Sequence, residues 1–189
     1  MPKVSAEHKQ RRRAQILEAA QRAFARHGFE GATVARLEEE TGLSRGAIFS
    51  YFENKDDLFV AVVSQSSDRL VAIWMERGFR ALLDAIAHED PDWLAVQLEA
   101  ARRVRTDPTF RARIGRLEQE AAEHRAERLA RLRPGLRDDL PLEVTVMYLN
   151  LVANAVAFAR VLEDKLPDLD LLMELVETGV TPRRSERRS

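Results

Sequence analysis

Hydroxyl and guanidinium side chains cluster in the short stretch LSRGAIFSYF. Arg45 carries a planar fork of donors that fits either a guanine edge or a phosphate. Ser44, Ser50 and Tyr51 carry hydroxyls that suit phosphate contacts or secondary base contacts. Gly46 lets another backbone approach closely. These residue types so close together indicate binding to nucleic acid.

Further donors flank this stretch. Thr33 begins a predicted helix, where its hydroxyl and backbone N–H are expected to reach a phosphate. Lys55 begins another helix, and both its charge and the helix end favour a phosphate. Arg11, Arg12 and Arg13 form a basic run that is expected to follow the adjacent DNA backbone or minor groove. On charge alone, a solvated, disordered terminus is the alternative.

Capped short helices are predicted to position these side chains. The first helix is expected over about 9–27, because apolar residues recur there every three or four positions, and Gly28 ends it. Thr33 is a good N-cap for the second helix, and Ser44 for the third. Gly42 lies in the tight turn between them, so the pattern is that of a helix-turn-helix unit.

The third helix is the recognition helix by its position, and its N-terminal residues would enter the major groove. At about two turns it is too short to be stable alone. Ile48 and Phe52 are expected to hold it by packing on the first two helices. Arg36 is expected to pair with Glu39 or Glu40 on its own helix rather than to contact a base.

The composition predicts an all-α protein. The 189 residues are 45% hydrophobic and 32% charged, with only 8 Gly and 7 Pro. Segments with strand periodicity are nearly absent, and we expect about nine helices. There are no cysteines, which removes disulfides, thiolate catalysis and Cys-rich zinc sites. The histidines are scattered as His8, His27, His88 and His124, and no Gly-rich phosphate loop is present, so we do not expect an enzyme.

The chain is expected to divide into three segments. Residues 1–54 would form the helix-turn-helix domain with its basic arm, 55–181 a helical effector-binding and dimerisation domain, and 182–189 a basic disordered tail. The N-terminus lacks the apolar core of a signal peptide. No charge-free apolar run reaches the roughly 18 residues of a membrane span. We therefore predict a cytoplasmic protein that does not bind a membrane.

Residues 144–159 are apolar on nearly all sides, which is typical of a helix buried on all sides. One face is expected to cover the core of its own chain, and the other to meet a partner subunit together with a last helix at about 168–179. The alternative is a monomer that surrounds this helix. Asn150 and Asn154 share one face, where buried amides would bind each other, the partner subunit or a polar effector.

The string TVARLEEETGLSRGAIFSYFENKDDLF resembles the DNA-binding signature of the TetR family of bacterial regulators. With the first helix, the resemblance covers roughly the first quarter of the chain. It implies a dimeric regulator, in most cases a repressor, that binds a palindromic double-stranded DNA operator and responds to a small molecule. The matching residues are Thr33, Gly42, Ser44, Gly46, Ile48, Phe49, Tyr51, Phe52, Lys55, Asp56, Asp57 and Leu58.

Three positions depart from the family pattern. Members usually carry Ala where Glu38 and Thr41 stand, and Tyr where Phe49 stands. That Tyr hydroxyl commonly reaches a phosphate, and Phe49 has none to offer. Either Tyr51 or Ser50 substitutes for it, or the contact is absent.

A narrower resemblance is to the actinobacterial aconitase-repressor branch of the family. The strings GATVARLEEETGLSRGAIFSYF, DWLAVQLEAARRVRTDPTFRA and DLPLEV carry it. It implies control of a central-metabolism gene and an effector such as citrate with magnesium. By this resemblance Arg128 would clamp a carboxylate and Glu177 would coordinate the metal. Two alternatives stay open, namely that both charges are only solvated, or that the second domain serves dimerisation without any effector.

Overall fold

The computed structural model describes residues 6–88, 92–132, 135–162, 166 and 168–181. Within these ranges the chain forms eight α-helices and no β-strand, which confirms the predicted all-α class. The helices are α1 (Ala6–Gly31), α2 (Val34–Thr41), α3 (Arg45–Ile48), α4 (Lys55–His88), α5 (Asp92–Thr106), α6 (Pro108–Leu132), α7 (Leu142–Leu162) and α8 (Leu169–Val180).

Two glycines explain where the observed helices differ from the predicted ones. Gly78 has φ 86° and ψ 170°, and it kinks α4 without separating the predicted short helix around 81–87 from it. Gly28 has φ 66° and ψ 176° and interrupts α1 in the same way, where the sequence predicted its end. Both conformations belong to a region that is essentially restricted to glycine. The described part of the chain therefore has one helix fewer than predicted.

Packing divides the chain into two compact units. The first is drawn from Met1–Arg69 and Asp92–Gly115, and the second from Leu70–Pro91 and Arg116–Ser189. The helices α4 and α6 each contribute to both units. The first unit therefore holds more than the segment 1–54 that we predicted as a domain, and the predicted tail 182–189 lies outside the described residues.

Aromatic rings form the centre of the first unit. The Phe59 ring lies 4.9 Å from Phe24, 5.2 Å from Phe29 and 5.8 Å from Phe110, centroid to centroid. The first two of these contacts are edge-to-face, a preferred geometry for aromatic pairs. This cluster ties α1 and the start of α4 to the start of α6.

The recognition helix α3 has only four residues, half the predicted length. Ile48 is fully buried and Phe52 is 3% exposed, as expected of side chains that hold this helix. Ser50 and Tyr51 follow the helix in a turn rather than lying on it.

In the second unit, backbone carbonyls at helix ends accept hydrogen bonds from one arginine of α7 and from one in the loop before α7. Arg160 of α7 donates to the carbonyl of Ala87 near the end of α4. Arg137 donates its backbone N–H to Val180, the last residue of α8, at 2.8 Å. The buried residues of this unit include Leu83, Val156 and Val176.

One side of α7 and α8 is apolar and exposed. Leu151 is 60% exposed on α7, and Leu175 is 69% exposed on α8. By length and composition alone, Lys55–His88 and Leu142–Arg160 are apolar enough to cross a membrane, although core helices of soluble proteins meet the same test. Our sequence criterion counted only charge-free runs and so missed both. The remaining exposed apolar residues of α7 and α8 are Val144, Met147, Tyr148, Phe158, Leu162 and Leu171.

Substituting Gly28 with Ala tests the kink in α1. Nothing lies within 4 Å of an added Cβ, so the cost is the backbone conformation alone, about 2 kcal/mol of unfolding free energy. Gly115→Ala is the matched control, because this helical glycine also has open space and Ala stabilises a helix by about 0.5–1 kcal/mol. Urea unfolding measures both. Equal effects of the two substitutions would contradict the conformational argument.

Candidate functional site

Two polar side chains fix the turn between α2 and α3. The Glu38 carbonyl accepts the Gly42 N–H at 2.9 Å, and the Glu38 carboxylate accepts the Arg45 N–H at 2.6 Å. The Thr41 hydroxyl donates to the Leu37 carbonyl at 2.7 Å and accepts the Leu43 N–H at 3.2 Å. Glu38 and Thr41 are two of the three departures from the family pattern. The structure therefore gives both of them a role in the turn.

The first turn of α3 presents Arg45 to solvent. Ser44 is the N-cap and accepts the Ala47 N–H at 3.4 Å, as its residue type predicted. Arg45 is exposed, and no described side chain binds its guanidinium. Gly46 is exposed and has open space where a Cβ would lie, so the fold itself does not require glycine there. A DNA backbone or base that approaches this position would require a glycine.

The residues after α3 differ in what they can offer to DNA. The Ser50 hydroxyl donates to the Ala47 carbonyl at 2.7 Å, so its hydrogen is committed within the chain. Tyr51 is half-buried, and no described residue hydrogen-bonds its hydroxyl. Phe49 is also half-buried, and its N–H donates to the Arg45 carbonyl at 2.9 Å. Of the hydroxyls expected to replace a Tyr at position 49, that of Tyr51 is therefore the better placed to donate.

Thr33 is the N-cap of α2, as predicted. Its hydroxyl oxygen accepts the Arg36 N–H at 3.4 Å, while its own N–H donates to the Gly31 carbonyl at 2.8 Å. Of the two groups expected to reach a phosphate, only the hydroxyl hydrogen is therefore available in this conformation.

Two basic side chains near the recognition helix are held by backbone carbonyls. The Lys55 ammonium donates to the Phe29 carbonyl at 2.9 Å and lies 4.3 Å from the centre of the Phe29 ring. The Arg36 guanidinium donates to the Gly31 carbonyl at 2.7 Å. Glu40, the acid expected to pair with Arg36, instead binds Arg26 of α1 at 2.6 Å. The pairing predicted within α2 is wrong because α1 offers arginines to Glu40.

The basic run of α1 lies within the helix. Arg13 places its guanidinium carbon 5.2 Å from the centre of the Phe52 ring, beside the turn that follows α3. Arg12 donates to Gln15 at 3.3 Å. Arg11 lies 3.9 Å from Glu7, an exposed pair that is worth little in stability. Cationic side chains of α1 are thus close to the end of the recognition segment.

Arg103 joins the helix-turn-helix region to α5 and α6. It is 7% exposed, and its guanidinium donates to Asp56 and Asp107, each at 2.8 Å. The same group lies 3.7 Å from the centre of the Phe29 ring and 4.3 Å from that of Phe110. Arg103 therefore connects the end of α1, the start of α4 and the junction of α5 with α6.

Helical spacing offers Arg103 an acid in Glu99, four positions earlier, but the structure does not form that pair. Glu99 instead binds Arg102 through two hydrogen bonds of 3.0 and 2.8 Å. These bonds lower the pKa of the Glu99 carboxyl. The competing acids for Arg103 include Asp56, 47 positions away, which helical spacing does not reveal. Its flanking apolar positions were the one available sign that Arg103 is buried.

The second unit contains a cavity of about 340 Å³ between the kink of α4 and α8. Glu177, a predicted effector ligand, lines it together with Arg77 and Arg80. Arg80 is bound by Asp84 and Asp170, which raise its pKa. No described residue binds the side chain of Arg77 or of Glu177. The other lining residues are Trp74, Gly78, Phe79, Gly135, Leu136, Leu149, Met173, Val176, Val180 and Thr181.

The other predicted effector residues lie elsewhere. The side chain of Arg128 is outside the described part of the chain. Asn150 and Asn154 are exposed on α7 and do not line the cavity. Binding to a partner subunit, one of the partners expected for these amides, therefore stays a prediction. Among the described residues, no group of three His, Asp or Glu side chains is arranged to hold a metal ion.

A short, capped third helix after a tight glycine turn, with an exposed arginine that no described residue binds, is typical of a helix-turn-helix DNA-binding protein. The family model for bacterial regulatory proteins of the tetR family matches residues 16–62. The chain is 41% identical to the HTH-type transcriptional repressor Rv1474c of Mycobacterium tuberculosis over 98% of this chain and 100% of that one. It is 40% identical to the repressor AcnR of Corynebacterium diphtheriae, over 95% and 97% of the two chains.

The chain therefore belongs to the TetR family and is a DNA-binding transcriptional repressor of the AcnR type rather than an enzyme. Solved structures agree with its fold. A TetR family regulator from Marinobacter aquaeolei has a TM-score of 0.66 at 19% identity, covering 95% of this chain and 100% of that one. Salmonella enterica GusR has a TM-score of 0.67 at 17% identity, with 94% and 98% coverage.

Replacing Arg103 with Lys tests the junction that it forms. The lysine keeps the charge but loses the fork and the flat stacking surface, so unfolding should become easier by roughly 2–3 kcal/mol. Arg102→Lys is the control, since that guanidinium is 53% exposed and solvent screens its pair with Glu99. Denaturant unfolding compares the two variants. Equal losses would show that burial of Arg103 adds nothing to the pair.

Proposed function

We propose that this repressor reads its operator through Arg45, which contacts a guanine edge in the major groove. The observation that carries the proposal is the exposed Arg45 guanidinium, which no described residue binds, in the first turn of a helix whose first N–H is held by Glu38. Arginine bound bidentately to guanine is the commonest specific contact in the major groove. The open space at Gly46 supports close approach of DNA at the same turn.

Phosphate contacts would position the protein around this reader. The Thr33 and Tyr51 hydroxyls are available to donate, and Arg13 of α1 lies close to the Phe52 ring, just after α3. Ser44, like Thr33, accepts a backbone N–H and keeps its hydroxyl hydrogen for a phosphate, whereas Ser50 donates its hydrogen to the Ala47 carbonyl. Lys55 has two further ammonium hydrogens beside its bond to Phe29, so it retains the capacity for a phosphate.

The exposed apolar side of α7 and α8 supports a homodimer. Its leucines, Met147 and Phe158 recur at helical spacing. Contiguous exposed apolar patches of this kind on soluble proteins mark interaction sites. Asn150 and Asn154 lie on exposed positions of α7, where they would hydrogen-bond across the interface. Two-fold symmetry would present two copies of α3 to a palindromic operator.

The cavity of the second unit supports a small polar effector. Arg77 supplies a guanidinium for a carboxylate, and Glu177 supplies an oxygen ligand for a hard cation that the effector carries. A single protein carboxylate suffices for Mg²⁺, which keeps several waters and shares ligands with an anion. A citrate-like acid with Mg²⁺ fits this donor set. Such a ligand would act by favouring one of two conformations that differ in DNA affinity.

Substituting Arg45 with Ala should cost about 1–3 kcal/mol of specific binding, because a bidentate base contact is lost. Fluorescence anisotropy on the duplex that the wild type selects from a random library, and on a shuffled duplex, measures the affinity ratio. Arg12→Ala is the control, since loss of a phosphate contact should weaken both complexes alike. An equal loss on both duplexes for Arg45→Ala would show that Arg45 touches only phosphate.

Citrate together with MgCl2 should raise the melting temperature of the protein. At a hundredfold excess over Kd the stabilisation is about 2.7 kcal/mol, or roughly 5–10 °C for a chain of this size. Citrate without the metal should raise it less. Glu177→Gln should abolish the metal-dependent part of the shift.

Glu174→Gln serves as the matched control for the effector experiment. Glu174 is exposed on the same helix, one turn before Glu177, and does not line the cavity. It should leave the shift unchanged. No stabilisation of the wild type at millimolar concentrations would contradict the proposed effector, and would favour a second unit that serves dimerisation only.

A further inference from the structure

We propose that Glu38 is a positioning residue for operator recognition. Its carboxylate holds the backbone of Arg45 and thereby sets where the Arg45 side chain points. The inference rests on the proposed role of Arg45 as the base reader. It goes beyond that role because Glu38 lies on α2 and need not touch DNA itself.

Glu38 accepts one hydrogen bond at the end of α2 and another from the first residue of α3. The Glu38 carbonyl receives the Gly42 N–H at 2.9 Å, which closes α2 in a left-handed turn. Seven residues beyond Glu38, the Arg45 N–H points back to the Glu38 carboxylate at 2.6 Å. A bond between a charged acceptor and a backbone N–H is stronger than one between neutral groups. Glu38 therefore links the end of α2 to the first residue of α3.

The recognition helix needs such an external bond. Within α3 the Ile48 N–H reaches Ser44 at 3.0 Å and the Phe49 N–H reaches Arg45 at 2.9 Å. The Ser44 cap itself is long, at 3.4 Å. A helix with so few bonds of its own does not fix the direction of its first residue. The Glu38 bond acts on the very peptide unit from which the Arg45 side chain projects.

The charge of Glu38 is a cost for a DNA-binding protein. A carboxylate beside the element that enters the groove repels the phosphates nearby. A neutral acceptor of the same reach would avoid that repulsion and keep the hydrogen bond. The contact and the charge are therefore separable by substitution, which makes the positioning role testable.

The experiment compares three substitutions of Glu38 by fluorescence anisotropy on the duplex that the wild type selects and on a shuffled duplex. Glu38→Ala should lower the ratio of the two affinities about tenfold, as expected when a bond to a charged group is lost. Glu38→Asp keeps the charge but is one methylene shorter, and should behave like Ala. Glu38→Gln keeps the acceptor at full reach and should restore the ratio to within about threefold of wild type.

Glu39→Ala is the matched control. Glu39 is the neighbouring exposed carboxylate, and no described residue binds it. Its removal changes the charge of α2 by the same amount and should leave the ratio unchanged. Melting temperatures of the free proteins accompany each titration, and the comparison of Gln with Asp stays decisive even when Ala is poorly folded.

Combining Glu38→Ala with Arg45→Ala separates this inference from the proposed function. In the Arg45→Ala background the loss of Glu38 should change the ratio by less than twofold, because there is no side chain left to direct. An unchanged ratio for Arg45→Ala alone means that the proposed reader is wrong, and the inference fails with it. A lowered ratio for Arg45→Ala with an unchanged one for Glu38→Ala, or wild-type behaviour of Glu38→Asp, overturns the inference alone.

Discussion

A recognition helix of four residues cannot maintain its own geometry, and much of the first unit is arranged around that constraint. Ile48 and Phe52 bury its rear face, the Glu38 carboxylate holds its first peptide unit, and Thr41 closes the turn before it. Hydrophobic burial supplies attraction without direction. The hydrogen bonds orient the helix, and the position of the exposed Arg45 side chain depends on both kinds of contact.

A buried arginine also joins the helix-turn-helix region to the helices that follow it. Arg103 is enclosed by the Phe29 and Phe110 rings and neutralised by Asp56 and Asp107, so one cation connects three helix ends. Asp56 directly follows Lys55, whose ammonium binds the Phe29 carbonyl. The start of α4 is therefore coupled to the end of α1 by two cations that share one aromatic ring.

Local features of the sequence predicted the fold well. Thr33, Ser44 and Gly42 act within a few residues, so their residue types alone placed the caps and the turn. Contacts between distant positions were not predictable in this way, as Arg36 and Arg103 show. Helical spacing offers each arginine a nearby acid, but Arg36 binds the Gly31 carbonyl and Arg103 binds Asp56 and Asp107. The cover of α7 stayed open for a different reason, because the sequence of an apolar helix does not show whether the residues that cover it belong to its own chain or to a partner.

Symmetry of the operator is the most direct test of the whole account. Sequencing of duplexes that the wild-type protein selects from a random library should give a palindrome, with half-sites spaced by about 10–10.5 base pairs or a multiple of it. Each half should contain a guanine whose preference disappears with Arg45→Ala. A single unsymmetrical site, or selection unchanged by the loss of Arg45, would contradict a dimer that reads DNA through two copies of this helix.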